Sequence, residues 1–330
     1  MSPTDTADPS VDVLTIGNAI VDVLTHADDA LVVELGMEKG SMALVDAERS
    51  ALIYERMGPA IEASGGSAAN TAAGVASLGG TAVFVGKVAD DQLGTVFTHD
   101  LRANGVRFEI RPASGSVPTA RSLILVTPDA QRTMNTFLGV AAEISADDVD
   151  ETIVAGAAVT FIEGYLCGVP ATSAALDKAM KAATRVALTL SDSLWVSHQR
   201  DTFLGLLPKV DLVFANEAEA CALYGTDDVD VALQRLSAAV PTAVVTRGEK
   251  GSVVVNDGTR YDVPAHPVEH VVDTTGAGDL YAAGYLLGYI RGAEPDVCGR
   301  LGAAAAAEVI SHFGARPQVS LAEFVASVGL

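Results

Sequence analysis

Positive charge is scarce in this chain of 330 residues: 21 Lys and Arg stand against 42 Asp and Glu, a formal net charge of −21. That balance excludes nucleic acid and anionic membrane surfaces as partners, because both need a basic footprint. Cysteine is equally sparse. Cys167, Cys221 and Cys298 are far apart and form no Cys-x-x-Cys, so neither a disulfide framework nor a zinc site is indicated, and a cytoplasmic location is expected. Long apolar runs are missing as well. The stretch 280–290 stops well short of the roughly 18 residues that suggest a membrane span. Residues 1–10 are polar and acidic and lack the basic start and apolar core of a signal peptide. These absences describe a soluble chain with a flexible tail at 1–10, long enough to bury a sizeable core without staples.

What is present is organised around Asp273-Thr274-Thr275-Gly276-Ala277-Gly278-Asp279, which runs into the apolar segment 280–290. It reads as a small-residue turn opening a buried helix. Gly276 and Gly278 let a ligand approach backbone N–H groups that have no helical partner, where a phosphate or developing oxyanion fits. A carboxylate beside an anion hole is poorly explained as an anion binder and well explained as a base that aligns a hydroxyl for attack on a phosphoryl group, so Asp279 is a candidate catalytic residue. The competing reading is a helix cap.

Upstream, 11–16 is an apolar strand followed by Gly17-Asn18-Ala19-Ile20-Val21-Asp22, read as its exit loop. Ligands of parallel sheets gather at the carboxyl ends of strands, so Asn18 and Asp22 are candidates for sugar hydroxyls, or else cap and turn residues. Gly65-Gly66-Ser67 opens a second small-residue helix, with Asn70 one turn in; a ligand group or a tightly packed crossover explains it equally. The segments 107–112 and 119–126 alternate and are followed by 129–137, which suggests antiparallel strands in a flap, with Arg132 on the return able to reach phosphate. Beyond 141, core strands at 157–162, 185–190, 212–214 and 242–246 alternate with helices near 146–155, 171–184, 198–206 and 216–240, the signature of a doubly wound parallel sheet. Asn216-Glu217-Ala218-Glu219 could hold Mg²⁺ through water or simply be an acidic first helical turn. A hairpin around Asp257-Gly258 follows.

Taken together, Gly65-Gly66-Ser67 with Asn70, Asn216-Glu217-Ala218-Glu219 and the stretch 273–279 resemble the ribokinase and adenosine kinase (PfkB) family of sugar and nucleoside kinases over 11–317. The resemblance implies an α/β fold, a ribokinase-like doubly wound, mostly parallel sheet flanked by helices, with a core over 11–330 and segments 24–50 and 106–140 inserted as a small β lid. It implies ATP and Mg²⁺, with transfer of the γ-phosphoryl group to a primary hydroxyl. Asp279 would be the base and Gly276, Ala277 and Gly278 the anion hole. Asn18, Asp22, Gly66, Ser67 and Asn70 would bind the acceptor. Asn216, Thr246, Gly248, Gly251, Thr275 and Arg132 would contact the nucleotide, and Glu219 would organise Mg²⁺ through water. Members often respond to K⁺, which would involve backbone near Asp273 and Thr275. Asp22 stands four residues after Asn18, a spacing closer to adenosine kinases than to ribokinases or fructokinases, and Met134 and Phe137 could supply apolar surface for a base. A ribonucleoside, adenosine first, is therefore the expected acceptor, with fructose, ribose or a related free sugar as the alternative. The chain would be a monomer or a homodimer through the lid. A regulator that binds nucleotide or sugar without chemistry is disfavoured by Asp279 beside both glycines, and a dehydrogenase by the lack of Gly-x-Gly-x-x-Gly after the first strand.

Overall fold

The computed structural model describes residues 11–115, 117–129 and 131–330, so the expected tail at 1–10 lies outside the described residues. Its strands are β1 (Val11–Ile16), β2 (Ile20–His26), β3 (Met42–Leu44), β4 (Ile61–Gly65), β5 (Ala82–Val85), β6 (Ala120–Val126), β7 (Arg132–Phe137), β8 (Ala157–Glu163), β9 (Val186–Thr189), β10 (Leu212–Asn216), β11 (Thr242–Thr246), β12 (Ser252–Asn256) and β13 (Thr259–Val263). They form an 8-stranded sheet in the order β13-β12-β11-β10-β9-β8-β1-β5 and a 5-stranded sheet in the order β3-β7-β6-β2-β4. From β5 to β11 the large sheet is parallel; β12 and β13 close it as antiparallel neighbours. Every residue of β8 is buried, as expected of a central parallel strand covered on both faces. Helices flank the sheet, and two clusters of buried apolar residues fill the layers between. The doubly wound α/β expectation is met.

Several local expectations are corrected. The 107–112 segment is not part of the second sheet. It runs beside β5, where Arg107 N–H donates to Ala82 O at 2.9 Å and Phe84 N–H donates to Arg107 O at 3.0 Å. Phe108 is the cause: it is buried against Phe84 and Phe97, with ring centroids 5.6 and 5.5 Å away. Residues 20–22 are no exit loop but the start of β2 in the second sheet, and β4 joins that sheet from outside the segments 24–50 and 106–140. Within 24–50 only β3 and the end of β2 are strand; helix Asp29–Glu34 and the start of helix Ala47–Arg56 also lie there. The helix expected over 216–240 is two, Glu217–Tyr224 and Val229–Ala239, because Gly225 turns left-handed at φ 60° and Asp228 caps the next start. Near 146–155 a 3₁₀ turn precedes helix Glu151–Ala155, and near 198–206 helices Ser193–His198 and Arg200–Leu206 follow one another.

Candidate active site

Two helices that begin in glycine bring the site together. Helix Ala277–Ile290 is preceded by Gly276 at φ 78°, and helix Ser67–Ser77 by Gly66 at φ 88°. Both conformations are left-handed and suit glycine alone. At Gly66 a Cβ would stand 2.3 Å from Asn18 O, while at Gly278 it would meet nothing within 4 Å, so the backbone there is open to a ligand. The two helices touch along small residues. A Cβ on Gly74 would lie 2.6 Å from Leu280 Cδ1 and 2.7 Å from Ala283 Cβ. This close approach sets Ser67 and Asn70 against Asp279, the third residue of its helix. Ser67 Oγ donates to Asp279 Oδ1 at 2.6 Å and Asn70 Nδ2 to Oδ2 at 2.9 Å. Asn70 Oδ1 is buried without a hydrogen-bond partner among the described residues, an orphan acceptor beside Asp279.

Burial pushes the Asp279 carboxyl above its ordinary range, against the pull of its two hydrogen bonds and of Arg316. Asp22, on β2, is raised to about 6 by burial, opposed by Arg132 and Arg316; its carboxylate lies where a Cβ on Gly65 would be. Asn18 is buried and donates from Nδ2 to Glu163 Oε1 at 2.8 Å. Glu163 Oε2 accepts from Ala68 N–H at 3.0 Å, and burial lifts Glu163 to about 7. Glu163 thus ties the turn after β1 to the first turn of helix Ser67–Ser77.

Two cavities share Thr246, Thr274, Ala277, Gly278 and Tyr281. The smaller, about 210 Å³, reaches from Ser67, Gly276 and Asp279 to Asn216 and Glu219. The larger, about 610 Å³, is walled by Thr246, Gly248 and Gly251 and by an apolar group that includes Val268, Ala303 and Ile310. Asn216 and Glu219 form a capping box: Glu219 N–H donates to Asn216 Oδ1 at 2.8 Å, and Asn216 Nδ2 and N–H donate to Glu219 at 2.7 and 3.0 Å. The helix-turn reading of that motif is therefore correct as structure, and Glu219, buried and raised to about 7 by desolvation, still lines the small cavity. Arg132 and Thr275 line neither cavity. The guanidinium of Arg132 is bound to Asp273 and Thr275 instead of facing the open space.

Glu163 and Arg316 escaped sequence reasoning. Glu163 reads as the polar end of an apolar strand. Arg316 reads as a surface residue near the C-terminus, yet it donates to Ser64 O at 3.2 Å, to Ser64 Oγ at 3.0 Å and to Ala69 O, and burial lowers it to about 10. A carboxylate closing a buried strand at its ligand-bearing end was the available signal for the first; the second left none. Among the described residues there is no cluster of three or more His, Cys, Asp or Glu able to hold a metal, and no helix is long and apolar enough to cross a membrane.

The fold is shared with known kinases. An adenosine kinase from Sinorhizobium meliloti superposes with a TM-score of 0.92 at 52% identity, covering 98% of this chain and 100% of that one. A probable sugar kinase from Rhizobium etli does so with a TM-score of 0.92 at 49% identity over 97% and 98% of the two chains. A fructokinase of Klebsiella pneumoniae is 30% identical over 255 residues, 74% of this chain and 83% of its own length. The pfkB family carbohydrate kinase profile matches residues 61–321. The chain belongs to the pfkB family of carbohydrate kinases and is an ATP-using nucleoside or sugar kinase.

Proposed function

We propose that this kinase transfers the γ-phosphoryl group of ATP to the primary hydroxyl of a ribonucleoside, adenosine first, with Asp279 as base. The observation that carries the acceptor is one face of the second sheet. In register, Ala63, Asp22, Ser122, Thr136 and Leu44 form a row across all five strands, and the neighbouring row on that face is Ile61, Leu24, Ile124, Met134 and Met42. Arg132, two residues further along β7 on the same face, touches the 273–279 loop, so this face looks toward the site. A wholly apolar row beside Asp22 suits a purine better than a free hexose, whose surface is mostly hydroxyl. Phe137 alternates to the opposite face and is removed from that surface. The likeness to the Sinorhizobium adenosine kinase supports the same reading; the likeness to the Rhizobium sugar kinase and the Klebsiella fructokinase favours a free sugar as the second.

In this reading ATP lies with its base in the larger cavity, along Thr246, Gly248 and Gly251, and its phosphates in the smaller one, against the N–H groups of Gly276, Ala277 and Gly278. The acceptor lies between Asp279 and the second sheet, which acts as a lid. Asn18 has given its amide N–H to Glu163 and presents Oδ1 to a sugar hydroxyl, as do Asp22 and the orphan Oδ1 of Asn70. A carboxylate is too weak to strip an alcohol outright, so Asp279 orients the hydroxyl and accepts its proton late, while the helix N-terminus stabilises charge on the moving phosphoryl group. Closure excludes water, the competing acceptor. Mg²⁺ fits through water at Glu219, where the capping box uses one of the two lone pairs on each oxygen. When bound, it supplies charge neutralisation on the phosphates.

The test is ADP release from ATP and Mg²⁺ with adenosine, inosine, ribose or fructose. Saturable turnover with adenosine is expected. Saturable turnover with fructose and none with adenosine would sink the nucleoside assignment.

A further inference from the structure

Asp273 has no lone pair left to give to a metal ion. Its Oδ1 accepts from the Thr275 amide at 3.0 Å and the Thr275 hydroxyl at 2.7 Å; its Oδ2 accepts from the Gly314 amide at 3.0 Å and from an Nη of Arg132. A carboxylate offers about four acceptor positions, and all are filled. The same Arg132 nitrogen donates to Thr275 Oγ1, and the guanidinium stands 5.3 Å from the centroid of the Phe313 ring. The ion pair is nearly sealed from solvent, with side chains 12% and 4% exposed. Hydrogen bonds from Thr275 and Gly314 and the charge of Arg132 outweigh burial and hold Asp273 below the ordinary carboxylate range.

The K⁺ that the family resemblance implies near Asp273 and Thr275 does not fit this arrangement. A cation on the backbone there would face a fixed positive charge, and it would find no carboxylate lone pair to offset its lost hydration. We propose that the Arg132 guanidinium is the built-in monovalent cation of the 273–279 loop and that K⁺ is dispensable. Guanidinium is always charged and presents several donors in one plane, so a single side chain can neutralise Asp273 and fix the Thr275 hydroxyl at once. Thr275 immediately precedes Gly276, so fixing it fixes the turn whose N–H groups form the anion hole. Because Arg132 stands on β7, this charge is supplied by the second sheet instead of by solution. The proposal rests on reading 273–279 as the phosphate loop.

The experiment compares wild type with Arg132→Gln in KCl, NaCl and tetramethylammonium chloride at equal ionic strength, measuring melting temperature and ADP release. Wild type is expected to show the same melting temperature in all three salts and rates within about twofold of one another. Arg132→Gln is expected to be lower in both and to recover in KCl specifically. A wild type whose rate and melting temperature rise markedly in KCl over the other salts overturns the proposal, and so does an Arg132→Gln with no K⁺-specific shift in melting temperature. Should the Gln variant not fold, Arg132→Lys, which keeps the charge and loses the planar fork, is expected to be slower and indifferent to K⁺; activation of it by K⁺ counts against the proposal. Melting temperature needs no acceptor, so this arm stands even where the adenosine assignment fails.

Discussion

Asp279 carries two opposed demands: burial favours its protonated form, while the reaction and its donors Ser67 and Asn70 require the carboxylate. The same conflict recurs at Glu163 and Glu219, both raised to about 7 by burial. Unfolded, each would titrate near the ordinary glutamate value of about 4.3. Between those values the folded chain binds more protons than the unfolded one, so the stability these groups confer is complete below the lower value and is lost as pH rises through about 7. The free energy of unfolding in urea is therefore expected to fall between about pH 5.5 and about pH 8. Glu163→Gln should lower stability, because its amide meets the donors of Asn18 or Ala68, and should also flatten that slope; a stability that climbs over this range contradicts the account. Asp279, Ser67 and Asn70 were legible in the sequence because each lies in a short motif next to glycines whose backbone chemistry is local. Glu163 was not, since its partners Asn18 and Ala68 are 145 and 95 residues away.

At the scale of elements, the site depends on two helices that approach closely where Gly74 of one faces Leu280 and Ala283 of the other. The first turns of Ser67–Ser77 and Ala277–Ile290 can share one carboxylate only because Gly74 lies under Leu280 and Ala283. Gly74→Ala sets two effects against each other. Alanine gains up to about 1 kcal/mol in helix propensity, and an added Cβ in a filled contact costs about 1–3 kcal/mol. Leu280 can rotate away, but Ala283 Cβ, 2.7 Å from the new atom, cannot without moving the helix, so overpacking prevails. The variant is expected to unfold at lower urea and to lose turnover as Asp279 parts from Ser67 and Asn70; a more stable variant with unchanged turnover would refute this. The parallel sheet was legible because its strands are continuous apolar runs. The second sheet was legible only in part: the antiparallel pair β6 and β7 falls where 119–126 and 129–137 were expected, but β4 is five residues, exposed or half-buried over its first three, that run into a glycine turn, and burial of Phe108 drew 107–112 to β5 in a way that alternation does not encode.

Over the whole molecule, a net charge of −21 surrounds a site that must hold a polyphosphate. Local sources carry the opposite sign: helix N-terminal amides at 276–278, and Arg316, which opposes the rise that burial gives Asp22 and Asp279. Arg132 spends its charge on Asp273. The acidic surface is thus tolerable, because in protein interiors short-range hydrogen bonds outweigh screened surface charge. In the proposed reading the 273–279 loop holds the phosphates and the second sheet faces the acceptor, and residues more than 200 positions apart meet at Asp279, which accepts from Ser67 and Asn70. The most direct test of that convergence is Asp279→Asn, assayed for phosphoryl transfer to adenosine alongside its affinity for ATP. The account predicts a rate lower by about a hundredfold or more, with ATP binding near that of wild type. A variant that keeps more than about a tenth of the wild-type rate would contradict it.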